Sequence, residues 1–80
     1  MARVEKLVDK MKRQPNGIKI EEAHKVLEYY GYRLDRKRGS HRQYVADNGS
    51  LPITIVERKP TIKAIYVNLI LEIIGQSPYF

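Results

Sequence analysis

At Gly31 the chain changes its apolar period, and that change limits the folds open to it. Upstream, Ile20, Ala23, Val26, Leu27 and Tyr30 recur at helical spacing; downstream, Tyr32, Leu34 and Arg36 alternate with Arg33 and Asp35, the period-two signature of a strand. Gly31 supplies the left-handed stop that ends a helix. Two turn signals follow. Gly39-Ser40 interrupts the alternation, and Asp47-Asn48-Gly49-Ser50 contains residues that tolerate the positive φ of tight turns. The spacing therefore predicts a second strand at about His41 to Ala46 and a third from Leu51 to Val56. Pro52 belongs at the start of the third strand or on an edge, because it cannot donate a ladder hydrogen bond. Strands joined by turns this short pair antiparallel.

Helices flank this region on both sides. Val4, Leu7, Val8 and Met11 predict a short amphipathic helix over the first dozen residues, stopping before Gln14-Pro15-Asn16-Gly17; it reads as an accessory element over residues 1–13. A last helix is predicted from near Thr61 to Gly75, with Ile62, Ile65, Tyr66, Leu69, Ile70, Ile73 and Ile74 on its main apolar face. Ala64, Val67 and Leu71 form a second apolar stripe, and a helix apolar on both sides is generally covered on both. Either the N-terminal helix folds over that stripe, or Ala64, Val67 and Leu71 are an interface for a partner or a second copy of the chain. Gln76 to Phe80 reads as a loosely held tail. The order helix, helix, strand, strand, strand, helix predicts an α+β fold, a three-stranded antiparallel sheet with its helices packed on one face. In the second strand Arg42, Tyr44 and Ala46 share one side and His41, Gln43 and Val45 the other. With Tyr44 beneath the helices, His41 points to the open face or the strand end.

Eighty residues make one small domain, with little space for a deep cofactor pocket. Fifteen Lys and Arg against nine Asp and Glu give a formal charge of +6, which favours a polyanionic partner. Arg33, Arg36, Lys37, Arg38 and Arg42 lie in one short segment opposed only by Asp35. With no cysteine and two histidines, neither a disulfide framework nor a metal or other cofactor is expected. The N-terminus lacks the apolar core of a signal peptide, and no apolar run reaches the ~18 residues that suggest a membrane span. The expectation is a soluble cytoplasmic protein with no membrane partner.

Chemistry concentrates in Lys37-Arg38-Gly39-Ser40-His41-Arg42-Gln43-Tyr44. Arginine and lysine attract phosphate, and an imidazole, with an ordinary pKa near ~6.5, exchanges protons at neutral pH. Gly39 answers to turn geometry, and Ser40 to a local hydrogen bond or a phosphate contact. A Ser40 nucleophile with His41 as base is rejected, since adjacent strand residues point to opposite faces. His24, on a helix beside Ile20 and Leu27, reads as a packing residue, and Tyr44 as core.

These residues, in this order of elements, resemble the HicA toxin family of small bacterial mRNA-cleaving endoribonucleases. The resemblance rests on Leu27-Glu28-Tyr29-Tyr30-Gly31-Tyr32, a helix-to-Gly-aromatic step, followed by a basic strand and Gly39-Ser40-His41-Arg42-Gln43-Tyr44, which matches Gly-Ser-His-x-x-aromatic. It covers roughly residues 18 to 75. It implies a fold like the double-stranded-RNA-binding domain, one functional histidine mapping to His41, and neutralisation by a cognate HicB antitoxin. The segment after the third strand departs from the family in lacking the His-rich loop of some relatives; if it touches RNA, Arg58, Lys59 and Lys63 are its cations. On this reading His41 handles one proton transfer in metal-free RNA cleavage, and Arg38 and Arg42 are the first choices to stabilise charge on the phosphate. Arg33, Arg36 and Lys37 supply general phosphate attraction. The alternative is a noncatalytic double-stranded-RNA-binding module; a third reading is an interaction protein with an acidic partner.

Overall fold

The computed structural model describes residues 4–47, 49 and 51–75. The predicted tail and two positions of the Asp47–Ser50 turn lie outside the described residues. The element order is α1 (Val4–Arg13), a short 3-10 turn (Pro15–Gly17), α2 (Ile20–Tyr29), β1 (Tyr32–Arg38), β2 (His41–Ala46), β3 (Ile53–Val56) and α3 (Ala64–Ile73). The three strands form an antiparallel sheet in the order β1-β2-β3. This is the predicted α+β architecture, like the double-stranded-RNA-binding domain, with an extra helix at the N-terminus.

Each turn answers to its residues. At the β1–β2 hairpin Gly39 carries a φ of 58° while no non-glycine among the described residues has positive φ, as in a two-residue turn with glycine first. Pro52 precedes β3, as its missing N–H requires. The last helix starts three residues later than Thr61. Ile62 is fully buried and its N–H donates to the Ile18 carbonyl at 2.9 Å, which holds that stretch as a strap before α3 begins.

One core unites all three helices with the sheet. Tyr44, Ile53 and Ile55 from the sheet meet Ala23, Val26 and Leu27 from α2 and Val67, Ile70 and Leu71 from α3. The helix expected to be accessory contributes Leu7, Val8 and Met11 to this same core. Each such side chain contributes roughly 1.5–3 kcal/mol relative to exposure. An ion pair between Lys10 Nζ and Glu22 (2.9 Å) also ties α1 to α2, but a half-exposed pair adds ~1 kcal/mol or less, so packing holds α1 in place. Glu22 also accepts the Lys19 backbone N–H at 2.9 Å, capping α2. Burial pushes the Glu22 carboxyl up, yet the Lys19 N–H and the Lys10 ammonium outweigh it and leave the pKa lowered.

The expected partner stripe on α3 is corrected by this packing. Val67 and Leu71 are fully buried and Ala64 is half-buried, because α1 and α2 both pack on α3 and cover that side. The large apolar residues of α3 left exposed are Ile65 and Leu69, which the sequence pattern had placed on the main core face. Ala64, Val67 and Leu71 therefore cannot serve as a docking surface in the folded domain.

This orientation of α3 has a direct test. Leu71→Ala should lower unfolding free energy by about 2–5 kcal/mol, whereas Ile65→Ala should change it by about 0.5 kcal/mol or less. Urea denaturation of the two variants checks it; the reverse ranking would mean that the helix is rotated.

Candidate functional site

Tyr44 faces the helices and is fully buried, so the alternation of β2 sends His41 and Gln43 to the opposite, open face of the sheet. His41 opens β2 directly behind the Gly39-Ser40 turn and is exposed. It stands opposite Arg38 on β1 and Val56 on β3. The next row across this face is Arg36, Gln43 and Thr54. A shallow cavity of about 190 Å³ is lined by Arg36, Arg38, His41, Gln43 and Thr54.

A bulge in β1 puts the two arginines there. Tyr32 and Leu34 stand opposite Ala46 and Tyr44, on the helix-facing side; the register then shifts between Leu34 and Arg36. The extra residue, Asp35, reverses the alternation, so Arg36 and Arg38 join His41 while Lys37 faces the helix side opposite Arg42. A regular strand would have kept Arg36 on the side of Tyr32 and Leu34.

The remaining candidates divide between faces. Arg42 does not join His41: it lies on the helix-facing side with its side chain 18% exposed, its Nε donating to Glu57 Oε1 at 2.9 Å and its Nη1 to the Tyr44 hydroxyl at 3.4 Å. Lys37 Nζ pairs with the same Glu57 carboxylate at 3.3 Å. Of the two arginines named first for the phosphate, then, Arg38 shares the face of His41 and Arg42 does not. Arg36, expected to have a general role, shares that face as well. Arg33 lies one row further along the open face, opposite Val45, and contacts Asp47 at 3.4 Å. Ser40 is exposed in the turn, and its carbonyl accepts the Glu57 N–H at 2.6 Å. That bond brings the end of β3 beside the turn, so exposed Arg58 and Lys59 follow at the same end of the sheet as His41. Arg58 Nε donates to the Thr61 carbonyl at 3.0 Å.

His24 is occupied elsewhere. Its Nδ1 lies 2.8 Å from the Tyr44 hydroxyl and its Nε2 3.4 Å from Glu28, behind the sheet. Burial raises the pKa of Tyr44, whose hydroxyl accepts from Arg42 and shares a hydrogen bond with His24 Nδ1. Gln43 and Thr54 are the lining residues given no site role from sequence; Gln43 was placed on the His41 side of β2, and Thr54 was not singled out. Its signal was available in β3, where buried Ile53 and Ile55 flank it and so direct it outward. A second depression, between α1 and Tyr30, is lined by Glu5, Val8, Asp9, Lys12 and Tyr30; its two carboxylates disfavour a polyanion. Among the described residues no group of three or more His, Asp or Glu side chains is placed to hold a metal ion, and no helix is long and apolar enough to cross a membrane.

The fold and site define a small basic α+β domain that carries one exposed histidine and three arginines, Arg33, Arg36 and Arg38, on an open sheet face. The family model for the HicA toxin of bacterial toxin-antitoxin systems matches residues 20–76, from the start of α2 to just past α3. The chain belongs to the HicA toxin family, whose members are generally mRNA-cleaving ribonucleases with an RNA substrate and a cognate antitoxin. No curated protein and no solved structure gives a significant match.

Glu57 makes the helix-side cluster pH-sensitive. Its hydrogen bond from Arg42, then that from Lys37, holds its carboxyl below the ordinary carboxylate value. A depressed folded-state pKa contributes stability above the unfolded pKa, and this is lost as pH falls through the folded value. Glu57→Gln should therefore lose stability at pH 7 and little near pH 3. Urea midpoints at the two pH values check this; an equal loss at both would mean that the charge of Glu57 plays no part.

Proposed function

We propose that the protein is a toxin endoribonuclease that cuts mRNA by metal-independent acid–base catalysis at His41. The observation that carries this reading is the grouping of His41, Arg36 and Arg38 around one shallow cavity on a sheet face free of helices. In the reaction His41 takes the proton of a ribose 2′-hydroxyl, and the 2′-oxygen attacks the adjacent phosphorus. The bond from phosphorus to the 5′-oxygen breaks, and water on this open face protonates the departing oxygen. The products are a 2′,3′-cyclic phosphate and a 5′-hydroxyl end. Negative charge gathers on the nonbridging oxygens, where guanidinium groups stabilise it through charge-assisted hydrogen bonds. Arg38, directly across from His41, is the first such group and Arg36 the second.

The outer cations gather the substrate. Arg33, Arg58 and Lys59 surround the site and attract the phosphate backbone, which makes binding weaken as salt rises. The cluster is open to solvent, which suits a single-stranded RNA with accessible 2′-hydroxyls. A HicB-type antitoxin neutralises the enzyme in the cytoplasm by laying an acidic surface over His41 and its arginines. The net charge of +6 gives that partner its electrostatic steering.

His41→Ala should lower cleavage of a long single-stranded mRNA in excess EDTA by about 100-fold or more while leaving RNA binding within about twofold. Arg38→Ala should lower both. The readout is fragments with cyclic-phosphate ends, beside circular dichroism showing that each variant is folded. Wild-type protein that binds RNA in a salt-sensitive way and never cuts it would instead be a noncatalytic RNA-binding module.

A further inference from the structure

Beside the proton-transfer and phosphate groups, the cavity holds two side chains that the cleavage chemistry does not use. Gln43 and Thr54 face each other across β2 and β3, one row in from His41 on the same sheet face. We propose that they read the edge of one nucleobase next to the scissile phosphate, and so set the cleavage-site preference of the enzyme; this rests on the ribonuclease reading above.

Placement and chemistry both support the assignment. Residues two apart on one strand face lie roughly 7 Å apart, and directly opposed residues on neighbouring strands are closer still. A nucleotide whose phosphate meets Arg38 and His41 therefore has Gln43 and Thr54 within reach of its base. Apart from His41, the rest of this face is cationic or aliphatic: Arg33, Arg36 and Arg38 from β1, Val45 and Val56 from β2 and β3. Beyond that imidazole, neutral groups that both donate and accept are concentrated in this one pair. An amide offers a fixed donor beside a fixed acceptor, the pattern that discriminates base edges, and a hydroxyl adapts to either. Neither side chain hydrogen-bonds another described side chain, so both are free to meet a ligand. Unstacked bases of single-stranded RNA present these edges.

The pair also gives meaning to the two intervening positions of Gly39-Ser40-His41-Arg42-Gln43-Tyr44. Arg42 turns inward to Glu57, while Gln43 turns outward into the cavity. Of the two, only position 43 can touch the substrate over His41.

The test maps cleavage sites on a pool of randomised single-stranded RNA for wild type, Gln43→Glu and Thr54→Val. Gln43→Glu replaces the amide donor by an acceptor in the same shape, and Thr54→Val removes the hydroxyl. Gln43→Ala replaces the first variant if it fails to fold. The expected result is a change of about 10-fold in base frequency at one position beside the cut. Measuring relative frequencies removes any general loss of RNA affinity from the added charge. Variants that cut with the wild-type base frequencies, at whatever rate, overturn the nucleobase assignment alone. A wild type that cuts no RNA overturns the ribonuclease reading, and this assignment with it.

Discussion

Tyr44 sits fully buried at the centre of the middle strand, and a buried phenol must find partners for its hydroxyl or cost the domain about 1–3 kcal/mol. It finds them in His24, at 2.8 Å, and Arg42, at 3.4 Å. Arg42 donates to the phenol oxygen, and the same hydroxyl shares a hydrogen bond with His24 Nδ1. The other ring nitrogen of His24 is then left to face Glu28. Anchored this way, β2 cannot slip by one residue, because a slip would withdraw Tyr44 from the core and turn every side chain over. His41 owes its place on the open face to that anchor.

The cations around it are sorted by two local devices. The bulge at Asp35 turns Arg36 and Arg38 outward to His41 and sends Lys37 inward. Glu57, at the end of β3, then binds the two inward cations, Arg42 and Lys37. Positive charge on the helix side is thereby partly neutralised, while on the open side Arg36 meets Asp35 only at 3.8 Å and Arg33 meets Asp47 at 3.4 Å, both on exposed side chains. A basic segment that looks uniform along the chain becomes a half paired to Glu57 and a half on the open face.

A domain of 80 residues has little core to spare, and α1 shows how this one completes it. The helix lies outside the residues matched by the family model, yet Leu7, Val8 and Met11 are buried with the rest. By covering Val67 and Leu71 it turns α3 so that Ile65 and Leu69 face outward. The face that carries His41, on the other side of the sheet, is left clear by all three helices.

Much of the architecture was legible in the chain itself. The change of period at Gly31, the Gly39-Ser40 turn and the placement of Pro52 specify elements and an antiparallel order, because local backbone preferences decide them. The opposite facing of His41 and Tyr44 followed from strand geometry, and the structural use of His24 from its helical neighbours. What the sequence could not determine is which of several equivalent surfaces packs and which cation meets which face. Both stripes of α3 are apolar, and only the docking of α1 and α2 distinguishes them. The exchange of Arg42 for Arg36 at the site depends on one bulged residue, whose position is set by pairing with β2 and by the pull of Glu57 on the opposite face. Such choices arise from contacts between residues distant in the chain, so they exist only once the sheet and helices have come together.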